Sequence, residues 1–227
     1  MTISILAYDE KSGSYGGAAT TGSLCVGGWV LRGDAEAGLS ASQGSLPSTM
    51  WGTGVLNLMR QGLSAEEALA QTVAPDTGRA QRQLSALDLQ GGTANHTGRE
   101  SIPAAGFRQA KHVIVSGNLL SSETVLDACL DGFLASTAPF EQRLLDALDR
   151  AAATGGDSRG LLSAALLVVR RSAAPLTLRV DRSDTPLRDL RALHGHATKG
   201  AYADWAATVP TLDDPYLGEP FSKIVSQ

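Results

Sequence analysis

Strands in this chain are expected to arrive as hairpin pairs, not as strand–helix–strand units, and that constrains the fold more than any other feature. Ile3–Tyr8 is a short apolar run, Asp9–Ser14 a charged glycine-containing turn, and Tyr15–Thr21 a second run of small residues. The three read as a β-hairpin. Leu24–Leu31 and Ala35–Ser42 read as a second pair around Arg32-Gly33-Asp34, where Gly-Asp signals a turn. Further strands are expected at Gln83–Leu89, Thr93–Thr97 and His112–Ser116, with residues 98–111 as a loop. A last pair falls at Ser163–Val169 and Leu176–Val180. Hairpins give antiparallel sheets, because a parallel pair needs a long crossover.

Helical patterns lie between these segments. Pro47–Gln61 carries Met50, Val55, Leu58 and Met59 at helical spacing. Ser64-Ala65-Glu66-Glu67 is a capping box opening a helix that runs to about Val73 and closes before Pro75. A helix from Ser121/Ser122 to about Ala135 is followed by one from Pro139 to Ala153, with Phe140, Leu144, Leu145 and Leu148 on one face. Asp184 is placed to cap Pro186–His194, and Thr198–Ala207 reads as a further helix. The order is ββββ-αα-βββ-αα-ββ-α. It predicts an α+β fold, a four-layer αββα sandwich of two stacked, largely antiparallel sheets. Residues 1–227 read as one domain, with about 208–227 as a surface tail.

One junction stands out. Gly155-Gly156-Asp157-Ser158-Arg159-Gly160 runs through Leu161-Leu162 into the apolar strand at Ser163. A glycine-flanked acid–base pair at the entry to a buried strand is suited to holding polar groups beside a site. Asp157 and Arg159 would pair with each other or engage a substrate carboxylate, for which the guanidinium fork is suited. Ser163 would hydrogen-bond a terminal amine or pack the tight start of the strand.

Composition narrows the function classes. The net charge of −4, with scattered Lys and Arg, disfavours a surface that tracks nucleic-acid phosphates. No run of about 18 apolar residues suggests a membrane span, and no signal-peptide pattern opens the chain, so a cytoplasmic location is expected. Cys25 and Cys129 read as buried hydrophobes and not as a disulfide framework. No metal-ligand spacing and no nucleotide-binding Gly-x-Gly-x-x-Gly context is present, so neither a metal nor a cofactor is expected.

Several residues offer chemistry. Thr2 opens the first strand, and a small second residue permits removal of Met1. A terminal Thr supplies a hydroxyl nucleophile and, in its α-amine with a pKa near ~7.7–8.0, a base. Asn118, where a strand leaves the sheet, would donate to an oxyanion or serve as a turn residue. Gln43, in Ser42-Gln43-Gly44-Ser45, offers an amide, and His96, at a strand end, a base or an orienting group.

These motifs together resemble an uncharacterised, mainly bacterial family of about this length in the N-terminal nucleophile (Ntn) hydrolase superfamily. The matching segments are Met1–Asp9, Gly62–Leu69, Arg82-Gln83 before the strand containing Asp88, His96-Thr97-Gly98, Gly117–Leu120, Gly156–Gly160 with Ser163–Leu166, and Leu178–Asp181. The resemblance implies the same αββα sandwich and an Ntn-type amidohydrolase that cleaves an amide or related C–N bond in a small molecule, such as an amino-acid derivative. Thr2, Asn118 and Asp157 would then be catalytic, and Gln43, His96, Arg159 and Ser163 would bind substrate. The chain departs from the family pattern at Ala19-Thr20-Thr21, Leu162 and Arg182-Ser183. Those departures motivate the alternative, a non-catalytic metabolite-binding protein or homo-oligomeric scaffold that keeps the fold. A hydrolase centred on His96 is a third reading.

Overall fold

The structure is a computed structural model that describes residues 2–155 and 160–218. Among these the strands form two antiparallel sheets. The first hairpin is β1 (Thr2–Asp9) and β2 (Ser14–Thr21), with a turn in which the Asp9 carboxylate accepts from the Ser12 backbone N–H at 3.0 Å and its hydroxyl at 2.6 Å. A one-turn helix α1 (Val26–Trp29) leads to β3 (Leu31–Asp34) and β4 (Gly38–Gly44). Two helices follow, α2 (Trp51–Arg60) and α3 (Ala65–Val73). Next come β5 (Arg82–Leu87), β6 (Thr93–Thr97), β7 (Gly106–Ala110) and β8 (Val113–Asn118). Helices α4 (Thr124–Ala135) and α5 (Phe140–Ala153) precede the hairpin β9 (Ser163–Arg170) and β10 (Ala173–Val180). The described chain closes with α6 (Pro186–Ala197), α7 (Ala201–Ala206) and an extended segment.

The larger sheet has the order β10-β9-β2-β1-β8-β7, and the smaller β3-β4-β5-β6. Period-two alternation assigns their faces. On β1, Ile3, Ile5 and Ala7 pack against α4 and α5 through Cys129, Phe133, Leu144 and Leu148. Leu6, on the opposite face, joins Ile114, Leu167, Leu39, Ala41 and Leu87 between the sheets. Leu84 and Ala86 of β5 face outward onto Trp51, Val55, Met59, Ala68 and Leu69 of α2 and α3. The layers therefore run helices, sheet, sheet, helices. The small residues of β2 make this packing close. A Cβ at Gly16 would lie 2.6 Å from Leu144, so α5 approaches the strand backbone directly.

The hairpins β1–β2 and β9–β10 and the capping box at Ser64 and Glu67 agree with the sequence reading. Other expectations need correction. Leu24–Leu31 is not a strand. Cys25 adopts a left-handed conformation (φ 62°), and Val26–Trp29 turns once as helix, its Gly27 lying close against Ala165 and Arg179. The loop expected over 98–111 contains β7, an edge strand whose residues are half-buried or exposed and give little hydrophobic signal. Its Arg108 is held by Asp127 and Glu123 at the start of α4. Helix α2 starts at Trp51, not Pro47; ahead of it the Ser48 hydroxyl accepts from the N–H groups of Met50 and Trp51 and holds the chain in a turn. The N-cap of α6 is Thr185, not Asp184.

Cys129 is buried, and desolvation pushes its thiol well above the usual range, whereas Cys25 is only half-buried. Beyond α7 the chain is tied back by Asp213, which accepts from Arg171 at 3.0 Å. No helix among the described residues is long and apolar enough to cross a membrane.

Candidate functional site

The register of the larger sheet brings one end of four strands together. Thr2 pairs with Thr21 on β2 and with Asn118 on β8, and Thr21 pairs with Ser163 on β9. The smaller sheet matches this with a second row, in which Gln43 pairs with Gln83 and Gln83 with Thr97. Alternation turns Thr2, Asn118, Gln43 and Gln83 into the space between the sheets. Cα atoms paired across an antiparallel ladder lie about 4.5–5.5 Å apart, so Thr2 and Asn118 are immediate neighbours.

A cavity of about 320 Å³ opens at this end, lined by Thr2, Thr21, Gln43, Ser42 and Ser45 on its polar side and by Leu24, Val26, Trp29, Val30 and Pro47 on its apolar side. The Thr2 hydroxyl lies 3.1 Å from that of Thr21. Behind it is a buried amide network centred on Gln83, which is fully buried. The Gln83 Oε1 accepts from Gln43 Nε2 at 2.7 Å and from Asn118 Nδ2 at 3.1 Å. The Gln83 Nε2 donates to Thr97 Oγ1 at 2.9 Å and to the Gly106 and Gly117 carbonyls at 3.1 Å. With two hydrogens for three acceptors, one of these contacts is shared. The network leaves Gln43 Oε1 buried without a hydrogen-bond partner.

Ser163 is fully buried, and its hydroxyl donates to the Ser23 carbonyl at 2.8 Å and accepts from the Val26 N–H at 3.1 Å. It thus caps α1, whose own N-cap residue Cys25 makes no side-chain bond, and pins the 23–26 wall of the cavity. Ser163→Ala is expected to lower stability by about 1–2 kcal/mol and to increase amide hydrogen exchange over residues 23–29. Unchanged exchange there would show that another contact holds the wall.

Other sequence candidates are placed differently. His96 pairs with Leu84 and lies on the helix-facing side of the smaller sheet, edge-on to Trp51. Its Nε2 is 2.9 Å from the Arg79 carbonyl, and it lines a separate cavity with Arg79, Thr97 and Arg99. The structure does not bring His96 to Thr2. Asn118 keeps an ordinary strand conformation at the end of β8, and the positive φ falls on Leu119 (φ 54°). Asp157 and Arg159 lie outside the described residues. No group of three or more His, Cys, Asp or Glu among the described residues could hold a metal ion.

Sequence reasoning missed Gln83, Thr21 and Trp29 as site residues. Gln83 does leave a trace. It shares the inter-sheet face of β5 with Leu87, so a long amide occupies a position that alternation reserves for the core. Trp29 leaves none, because its place depends on α1.

Comparison with known proteins adds three findings. No curated protein sequence matches the chain. A crystal structure of a protein from Silicibacter pomeroyi, itself assigned to DUF1028, superposes with a TM-score of 0.93 at 49% sequence identity and covers 96% of each chain. Residues 2–190 match DUF1028, described as a family of unknown function, and the chain belongs to that family.

Proposed function

We propose that the protein is an Ntn-type hydrolase of an amide or related C–N bond in a small molecule, with Thr2 as nucleophile once Met1 is removed. The observation that carries this reading is the position of Thr2. It is the first residue of a central strand, and its hydroxyl borders a cavity between two stacked antiparallel sheets. The layer order of helices, sheet, sheet and helices supports the Ntn comparison.

In the proposed reaction the Thr2 Oγ1 attacks the substrate carbonyl carbon and its proton passes to the free α-amine of the same residue. The carbonyl π-electrons move onto oxygen, and the second Nδ2 hydrogen of Asn118 stabilises that oxyanion together with a backbone N–H. The first Nδ2 hydrogen is held by Gln83, which fixes the amide plane and lowers the cost of orienting it. Collapse breaks the C–N bond, and the departing nitrogen takes the proton from the ammonium. Water then attacks the Thr2 ester, with the amine again as base, and releases the acid. Thr21, within hydrogen-bond distance of Oγ1, orients the hydroxyl before attack.

The test uses full-length protein co-expressed with methionine aminopeptidase, with intact mass confirming removal of Met1. It is assayed against a library of amides beside Thr2→Ala and Thr2→Ser. Thr2→Ala is expected to lower turnover by at least about 10³-fold, while Thr2→Ser retains part of it. Turnover indifferent to Thr2→Ala would exclude this mechanism.

A further inference from the structure

We infer that the Thr2 cavity selects uncharged amides that carry an apolar acyl group and at least one N–H on the amide nitrogen; the inference rests on the hydrolase reading. Two independent features point there. The first is the apolar rim. Leu24 and Trp29 are 53% and 51% exposed. Both line the cavity, beside Val26, Val30 and Pro47. Water-exposed apolar side chains gathered around the mouth of a concave site lose that exposure when an apolar ligand enters. The lining is asymmetric, since Leu24 and Trp29 stand with Val26, Val30 and Pro47, while Thr2, Thr21, Gln43, Ser42 and Ser45 form the polar side. A substrate bound with its carbonyl at Thr2 therefore turns its acyl group toward Trp29.

The second feature is the orphaned acceptor. Gln43 is 2% exposed and lines the cavity, and its Oε1 has no partner. Gln83 prevents a simple exchange of the Gln43 oxygen and nitrogen. The donation of Gln83 Nε2 to Thr97 and to the Gly106 and Gly117 carbonyls fixes its Oε1 toward Gln43, where a second oxygen would be repelled and an N–H is bound. Gln43 must therefore present Nε2 to Gln83 and keep its oxygen for something else. An unmatched buried acceptor is costly, and a ligand N–H removes that cost. The neutral amide oxygen accepts a hydrogen bond without requiring a positive charge, which suits an amide N–H. Gln83 is then a positioning residue, setting the direction in which Gln43 reads the substrate.

The experiment uses the full-length Thr2→Ala protein, which binds without turning over, and ligand-observed NMR titration. The probes are phenylacetamide, its N,N-dimethyl derivative and succinamate, the last a charged amide of similar length. Phenylacetamide is expected to bind roughly tenfold more tightly than either of the others. Adding Trp29→Ala is expected to weaken phenylacetamide roughly tenfold and to leave succinamate unchanged, whereas Trp29→Phe restores most of the loss. Equal affinity for phenylacetamide and succinamate, or indifference to Trp29→Ala, would overturn the assignment of the apolar wall. Equal affinity for the dimethyl derivative would overturn the role of Gln43. Selective binding with no phenylacetate formed by the Met1-processed wild-type protein would sink the Thr2 mechanism and leave the selectivity standing.

Discussion

Replacing Gln83 with Leu is expected to destabilise the protein by about 3–5 kcal/mol, although the two side chains are of similar size. The cost does not come from lost volume. It comes from what remains: Gln43 Nε2 and Asn118 Nδ2 lose their acceptor, and the Gly117 carbonyl loses a donor, all in buried surroundings. A buried polar group stripped of its partner costs about 1–3 kcal/mol, and these groups belong to one network, so the losses do not simply add. Urea unfolding of Gln83→Leu beside wild type measures the effect, and a difference below about 1 kcal/mol would show that the network relaxes around the gap. Gln83→Glu provides a pH signature. When protonated, its carboxyl keeps an acceptor and one donor. When ionised, it buries a charge, so its folded pKa is raised above the unfolded value near ~4.3. A group with a raised folded pKa contributes its stability below the unfolded pKa and loses it as pH rises. The gap between Gln83→Glu and wild type is therefore expected to widen from pH 4 toward pH 7.

Gly38→Ala is expected to cost about 3–5 kcal/mol as well, through backbone geometry and not through polarity. Gly38 begins β4 with φ 108°, a conformation that side chains rarely adopt. A Cβ there would lie 2.1 Å from the Leu87 carbonyl oxygen and 3.1 Å from the Asp88 Cα. Both are backbone atoms at the end of the paired strand, so relief requires moving the β4–β5 ladder that carries Gln43 and Gln83. Gly13 supplies the control. It has φ 63°, but a Cβ there would meet no heavy atom within 4 Å, so Gly13→Ala is expected to cost only about 1 kcal/mol. Thermal unfolding of both variants separates strain from collision. For a chain of this size the Gly38 variant should melt about 10 °C lower. Comparable melting temperatures for the two variants would mean that the ladder shifts at little cost.

The hairpins β1–β2 and β9–β10 were legible because Ile3–Tyr8 and Ser163–Val169 carry dense apolar runs beside strong turn signals. The short helix at Val26–Trp29 was not, since its residues are as apolar as a strand and its start is capped by Ser163, 137 positions away in sequence. A different reason hid β7, whose partner β8 is only a short turn away in sequence. An edge strand pairs on one side only, buries little, and shows its nature only once β8 is beside it. At the site, Thr2, Asn118 and Gln43 could be named from strand-end positions. His96 could be named on the same grounds, yet it faces the other side of its sheet, because residues next to each other on a strand point in opposite directions.

Local sequence thus determined many of the elements: the hairpins β1–β2 and β9–β10, the capped helix α3, and a threonine at the head of the first strand. These depend on side-chain period, turn chemistry and capping within a few residues, so short stretches of chain suffice to specify them. Only the tertiary structure decided that β8 crosses to the sheet of β1 and sets Asn118 beside Thr2, and that Gln83 joins the two sheets through their amides. Those contacts depend on register and on which face of a strand is buried. Both are fixed by the stacking of two sheets as a whole and by no segment alone.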